Sequence, residues 1–197
     1  GTLTYVDKKR CRTVSIQPSP ATTTDWNIEL PAWCRDQRNQ MTGPADDGEL
    51  VVKMLDSGAP GVMLDLEDSM ANTWPNLMSG VSNILAALGG TLTYVDKKRC
   101  RTVSIQPSTT VIFTRPRGLH VHQAGVLLGR VLPASLFDVA LVAFQVDAAA
   151  LRHPLCFYIP KSESAEEAIW WRDLFQAIEQ AKGWPSGWIK CMALVES

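Results

Sequence analysis

From Gly61 onward the chain alternates between two hydrophobic periods, and that alternation constrains its fold more than any other feature. Gly61-Val-Met-Leu-Asp-Leu66 is a short apolar run of the kind that forms a strand buried on both faces. Thr73 can then cap a helix with Pro75 in its first turn, and Leu77, Val81, Ile84, Leu85 and Leu88 make one apolar stripe. Gly89-Gly90 ends it. Thr91–Val95 and Arg101–Ile105 predict a hairpin around Asp96-Lys97-Lys98. Val111–Thr114 predicts a second core strand, Leu136–Leu151 a largely buried helix, and Cys156–Ile159 a third strand. Ser164-Ala-Glu-Glu167 reads as a capping box that opens a helix carrying Ala168, Trp171, Leu174, Phe175 and Ile178, closed by Gly183. Trp188–Val195 predicts a fourth strand.

Strands separated by helices predict an α/β fold with parallel strands. A complete (β/α)8 barrel takes about 250 residues. Four strand units and a β-hairpin insertion therefore predict a partial TIM barrel, about the first half. A half-barrel has open sheet edges, through which pairing with a partner or a second copy is expected. The formal net charge of −1, with both signs interspersed, gives no footprint for nucleic acid or an anionic membrane. No apolar run has membrane-spanning length, and no signal-peptide pattern opens the chain. The five cysteines show no CxxC spacing, so free thiols in a reducing, cytoplasmic setting are expected, not structural zinc.

The hairpin sequence occurs twice. Gly1–Ser19 and Gly90–Ser108 are the same nineteen residues, followed by Pro20-Ala21-Thr22 in one place and Thr109-Thr110-Val111 in the other. Repeat architectures stack several diverged units. Two identical copies in unlike surroundings point instead to a duplication, with one copy native to its context. Residues 1–24 are read as a duplicated, foreign N-terminal segment, and 25–197 as the half-barrel.

In barrels of parallel strands the chemistry lies at the strands' C-terminal ends. Each predicted core strand ends in charge: Asp65, Glu67 and Asp68, then Arg115 and Arg117, then Lys161 and Glu163, then Glu196. Loops are wet, and charge at one strand end carries little meaning; the same pattern at four consecutive ends marks a candidate active face. Acidic groups flanking a guanidinium suit a divalent cation beside an anionic substrate. His120 and His122 lack a third ligand, and Trp170 and Trp171 suit helix packing.

Asp-Leu-Glu-Asp-Ser (65–69) with Trp74-Pro-Asn76, Arg115-Pro-Arg-Gly-Leu-His120, Phe157-Tyr-Ile-Pro-Lys161 with Ser162-Glu-Ser164, and Gly187-Trp-Ile-Lys190 with Leu194-Val-Glu196 together resemble malate synthase, most closely the A-type enzymes. Met41-Thr-Gly-Pro44 matches a family segment as well. Single motifs are shared with aldolase and citrate-lyase-β relatives; their order and spacing carry the resemblance. It implies condensation of acetyl-CoA with glyoxylate to malate and CoA, in the glyoxylate cycle, with Mg²⁺ as cofactor. A eukaryotic version would sit in peroxisomes or glyoxysomes.

The resemblance also assigns residues. Arg115 would polarise the aldehyde and bind substrate, Glu196 would be a direct Mg²⁺ ligand, and Glu67 would bind substrate and reach the metal through water. Asp68 and Lys161 would order the face by salt bridges. The hairpin at Gly90–Ser108 stands where the family has one, so Gly1–Ser19 is the intruder. The second metal carboxylate and the aspartate base fall, by the family pattern, beyond Ser197, so the 197-residue chain is expected to be inactive alone. Alternatives are a non-catalytic half-barrel interaction module and a fragment of a related Mg²⁺-dependent acyl-CoA lyase.

Overall fold

The computed structural model describes residues 3–7, 12–16, 30–36 and 38–195. The chain forms two compact units, Gly1–Ala32 and Trp33–Ser197. In the first, β1 (Leu3–Asp7) pairs antiparallel with β2 (Arg12–Ile16).

The second unit is built on a five-stranded sheet. Its strands are β3 (Gln40–Pro44), β4 (Gly61–Asp65), β7 (Val111–Arg115), β10 (Cys156–Ser162) and β11 (Lys190–Val195). They lie side by side in chain order, and every neighbouring pair is parallel. Between them run the helices α1 (Gly48–Leu55), α2 (Trp74–Leu88), α3 (Ala134–Gln145) and α4 (Ala165–Lys182).

Alternation along each strand separates two apolar layers. Val62, Leu64, Phe157 and Ile159 pack with the buried faces of all four helices, among them Val51, Ile84, Val139 and Phe175. Phe157 stacks on Phe175 with centroids 5.6 Å apart. Met63, Val111, Phe113 and Cys156 form a separate cluster with Trp33, Tyr158 and Met192. All four helices thus contribute to one layer, and the strand order never reverses. A doubly wound sheet reverses its order and carries helices on both faces. Chain-order strands with helices on one face are the wall of a (β/α) barrel, and the fold is a partial TIM barrel.

Three elements go beyond the sequence reading. The strand beginning at Gly61 is the second of the sheet, because Gln40–Pro44 precedes it as an edge strand, so five parallel strands are present instead of four. Helix α1 follows it, capped by Asp47, whose carboxylate accepts from the Leu50 N–H at 3.0 Å. A second hairpin, β8 (His122–Leu127) with β9 (Arg130–Pro133), turns at Gly129 with φ of 67°.

The helix expected over Leu136–Leu151 is shorter. It stops at Gln145, and Asp147 caps a separate 3-10 turn (Ala148–Ala150) by accepting from the Ala149 N–H at 2.9 Å. A short acidic side chain bonding local backbone competes with helix continuation. The capping box at α4 is also modified. Ser164 accepts from Glu167 N–H at 3.2 Å, but Glu167 accepts from Glu163 N–H at 2.9 Å, one residue ahead of the cap. Ala168, expected on the apolar face, is exposed, whereas Trp171, Phe175 and Ile178 are buried.

The Gly90–Ser108 copy contains β5 (Thr93–Asp96) and β6 (Arg101–Ser104), an antiparallel hairpin. Leu92 is buried, and Tyr94, Val103 and Ile105 pack against the main core. Glu179, buried in α4, accepts from the N–H groups of Gly187 (2.9 Å) and Ile189 (2.8 Å), which fixes the turn leading into β11.

Candidate active site

Strand register brings the site together. Asp65 pairs with Arg115 across β4 and β7, both at the C-terminal end of the parallel sheet. Residues that leave those strand ends therefore share one edge of the sheet. The adjacent loop is shaped by Asp65, which is 1 % exposed. Its carboxylate accepts from Glu67 N–H (2.7 Å), from Ser69 N–H (3.1 Å) and from the Ser69 hydroxyl. A buried carboxylate satisfied by backbone donors acts as a local template: it folds the Asp-Leu-Glu-Asp-Ser segment so that Glu67 and Asp68 project toward β7.

Arg115 is where they converge. Its Nη2 donates to Glu67 Oε2 and Asp68 Oδ2, each at 2.6 Å, and its Nη1 lies 3.5 Å from Asp65 Oδ2. Burial alone would lower the guanidinium's affinity for its proton, but the Asp65 and Glu67 charges outweigh it and raise the pKa. Lys161 joins from β10. Its ammonium donates to Glu67 Oε1 (3.0 Å) and to Asp68 Oδ1 and Oδ2 (3.0 and 3.2 Å).

Lys161 reaches this position because the β10–β11 register slips between Ile159 and Ser162, and its own φ is 51°. A bulge of this kind redirects one side chain at a strand end. Burial pulls the Lys161 pKa down, and the bonds to Glu67 and Asp68 more than offset it, raising it above its ordinary value. The Asp68 carboxyl is held below its ordinary value, chiefly by the Lys161 hydrogen bond against a smaller opposing effect of burial, with Arg115 adding to it.

Behind this cluster lies a second ion pair. Asp138, on α3, is wholly buried and accepts from Arg117 N–H (2.9 Å), Nε (2.9 Å) and Nη2 (2.7 Å). Nη1 and Nη2 of the guanidinium also donate to Asn72 Oδ1 and Gln123 Oε1, both at 3.0 Å. Burial raises the Asp138 pKa, opposed by these bonds from Arg117. The pair joins the loops after β4 and β7 to α3 and β8. It holds Gly118 where its N–H donates to Glu67 Oε1 at 3.0 Å. A side chain at Gly118 would place Cβ 2.5 Å from the His120 ring and 2.8 Å from Glu67 Oε1, so both side chains would have to shift to admit it.

Of the sequence-predicted residues, Arg115 and Glu67 thus form an ion pair; Asp68 accepts from Arg115, and Lys161 donates to both Glu67 and Asp68. Glu196 lies outside the described residues. His120 and His122 are exposed, and Trp170 packs edge-on against buried Trp171 at 5.0 Å. Cys100, Cys156 and Cys191 are free thiols, and burial pushes Cys156 up to about 12. Sequence reasoning gave Asp138 no role beyond its place within the helix expected over Leu136–Leu151. The signal was available: one carboxylate inside Ser-Leu-Phe-Asp-Val-Ala-Leu-Val needs a buried partner.

The described carboxylates do not by themselves suit a metal. No three acidic, histidine or cysteine side chains gather as ligands among the described residues. Glu67 and Asp68 already accept from Arg115 and Lys161. Among the described residues, no helix is long and apolar enough to cross a membrane.

Comparison with known proteins gives a consistent result. Residues 111–197 match the family model described as malate synthase, TIM barrel domain. The chain is 38% identical over 190 residues to the glyoxysomal malate synthase of Zea mays, covering 90% of this chain and 34% of that protein. It is 34% identical over 177 residues to malate synthase A of Escherichia coli K12, covering 88% of this chain and 33% of the relative. A bifunctional glyoxylate cycle protein of Caenorhabditis elegans is 34% identical over 171 residues, 85% of this chain and 18% of its own length. The chain spans about a third of the length of the malate synthases it matches.

Proposed function

We propose that this chain, whose residues 111–197 match the malate synthase TIM barrel domain, carries the glyoxylate-recognising part of such an enzyme, in which acetyl-CoA condenses with glyoxylate to malate. The observation that supports this most directly is Arg115 Nε, a buried donor without a hydrogen-bond partner among the described residues. Leaving such a donor unsatisfied costs roughly 1–3 kcal/mol. An oxygen of a bound carboxylate or aldehyde would relieve that cost. A planar guanidinium suits a carboxylate or a developing alkoxide better than a point charge would.

In this reading Arg115 orients the substrate and stabilises negative charge growing on the aldehyde oxygen. Glu67, pinned by Arg115, Lys161 and the Gly118 N–H, keeps the guanidinium in place. Mg²⁺ belongs to the same proposal. With both oxygens of Glu67 already bonded by protein donors, Glu67 would serve the metal through water, leaving Glu196 as its direct ligand. The outer strands β3 and β11 offer edges for further chain or a partner. A glyoxysomal or peroxisomal location in a eukaryote, or the cytoplasm otherwise, accompanies this reading.

Calorimetric titration with glyoxylate tests it. Binding should be measurable in the wild-type chain and lost on Arg115→Ala with the fold intact by circular dichroism. Binding that survives Arg115→Ala would overturn the assignment.

A further inference from the structure

Asp68 differs from every other member of the cluster in exposure. Its side chain is 57% exposed, against 10% for Arg115 and 6% for Glu67. It nevertheless takes a bond from Arg115 Nη2 at 2.6 Å and two from the Lys161 ammonium. Seen from solvent, the outermost group on both cations is a carboxylate that the protein itself supplies.

The backbone around Asp68 is fixed independently of that side chain. Asp65 accepts from the N–H of Glu67 and of Ser69, the residues on either side. Asp68 can therefore swing into water while the loop keeps its shape. Charge points the same way. Asp65, Glu67 and Asp68 set three negative charges against the positive charges of Arg115 and Lys161, a balance of −1. Removing Asp68 leaves the remaining four neutral overall, with Arg115 Nη2 and the Lys161 ammonium each keeping Glu67 and freeing the donors that Asp68 occupied.

We infer that Asp68 is an internal carboxylate standing on Arg115 and Lys161 in the place of a small oxo-acid anion, and that the substrate's carboxylate must displace it. Asp68 thereby sets the affinity of the site. The exchange conserves hydrogen bonds: one carboxylate leaves two cations for water, and another leaves water for the same cations. The inference rests on the reading of Arg115 as the glyoxylate-binding residue.

Exposed ion pairs are individually weak. Neutralising Asp68, which meets two cations, should tighten anion binding by about twofold to tenfold. The test is calorimetric titration of the chain with glyoxylate, and with glycolaldehyde as a neutral control, for wild type, Asp68→Asn and Asp68→Asn/Arg115→Ala. Tighter glyoxylate binding in Asp68→Asn, unmatched by glycolaldehyde and abolished in the double variant, is the expected result. A structural role alone would predict weaker binding. Unchanged or weaker glyoxylate binding in a folded Asp68→Asn chain, with Arg115-dependent binding intact in wild type, would overturn the role of Asp68 alone. Absence of Arg115-dependent binding in wild type and Asp68→Asn would overturn the site reading and this inference with it.

A second measurement needs no variant. In the wild-type chain with ¹³C-labelled aspartate, saturating glyoxylate should move the Asp68 carboxyl resonance toward the position of a solvated carboxylate and leave Asp65 in place. An Asp68 signal that does not respond while glyoxylate binds would refute the displacement.

Discussion

Removing Asp138 should damage the molecule more than removing any charge at the candidate active site. The Asp138→Ala variant strips a wholly buried carboxylate from three donors of Arg117, which is itself 3 % exposed. Asn72 and Gln123 still accept from the guanidinium, but neutral amides cannot balance a buried positive charge. Breaking a buried ion pair from one side costs about 3–5 kcal/mol. Domains of this size have a total stability of about 5–15 kcal/mol. Urea denaturation should show a lower midpoint at unchanged slope, the signature of lost stability without a change in the surface exposed. The double variant Arg117→Met/Asp138→Leu should recover part of the loss, because it leaves no charge unpaired. A loss below about 1 kcal/mol in Asp138→Ala, or a double variant less stable than the single, would refute the claim that this pair is a mutually dependent buried clamp.

Gly118→Ala should lower glyoxylate affinity while leaving the core intact, since the new methyl group falls 2.8 Å from Glu67 Oε1 and must displace the residue that pins Arg115; unchanged affinity by calorimetry would argue against that dependence. The Asp68–Lys161 bridge should show two pH limits in an NMR titration. Asp68 has a lowered pKa, so its contribution is present above the ordinary value of 3.8 and fades as pH falls through the folded value. Lys161 has a raised pKa, so its contribution is present below 10.5 and fades as pH rises through the folded value; a bridge lost near neutrality would contradict both shifts. The 197-residue chain should release no CoA from acetyl-CoA in a glyoxylate-dependent thiol assay, even with excess Mg²⁺. Asp65 and Glu67 are held by protein donors, and Asp68 moves out into water when the substrate displaces it, so none is placed to take the methyl proton; robust turnover lost on Arg115→Ala would defeat this argument.

The strands beginning at Gly61, Val111 and Cys156 were legible because each is an apolar run bounded by turn residues. Gln40–Pro44 was not. It lies at the edge of the sheet with Gln40, Thr42 and Pro44 alternating against Met41 and Gly43, so its sequence lacks the continuous apolar run of a central strand. Arg115 and Glu67 were legible as charges at strand ends, and the family resemblance put both in one site, but their direct ion pair was not legible. The Arg117–Asp138 clamp was not, because its two residues are 21 apart and belong to different elements. The left-handed backbone of Lys161, with φ of 51°, was hidden too: it accompanies a slip of register against β11, a property of two strands together.

The duplicated hairpin separates local from tertiary instruction within one molecule. In the first copy Thr4 pairs with Ser15, Tyr5 with Val14, Val6 with Thr13 and Asp7 with Arg12. In the second, Thr93 pairs with Ser104, Tyr94 with Val103, Val95 with Thr102 and Asp96 with Arg101. These are the same partners, residue for residue. Register is therefore written in the segment itself. In the second copy Asp96 folds the turn, accepting from the N–H groups of Lys98 (3.1 Å) and Arg99 (3.2 Å), and this local bonding fixes which residues face each other. Context adds what the segment cannot carry. In the second copy the Leu92 and Thr91 N–H groups bond to Ala86 at the end of α2, and Gln106 N–H bonds to Asp56 after α1. Those anchors lie outside the repeated residues, so duplicating the segment copies a hairpin but not its place in a barrel.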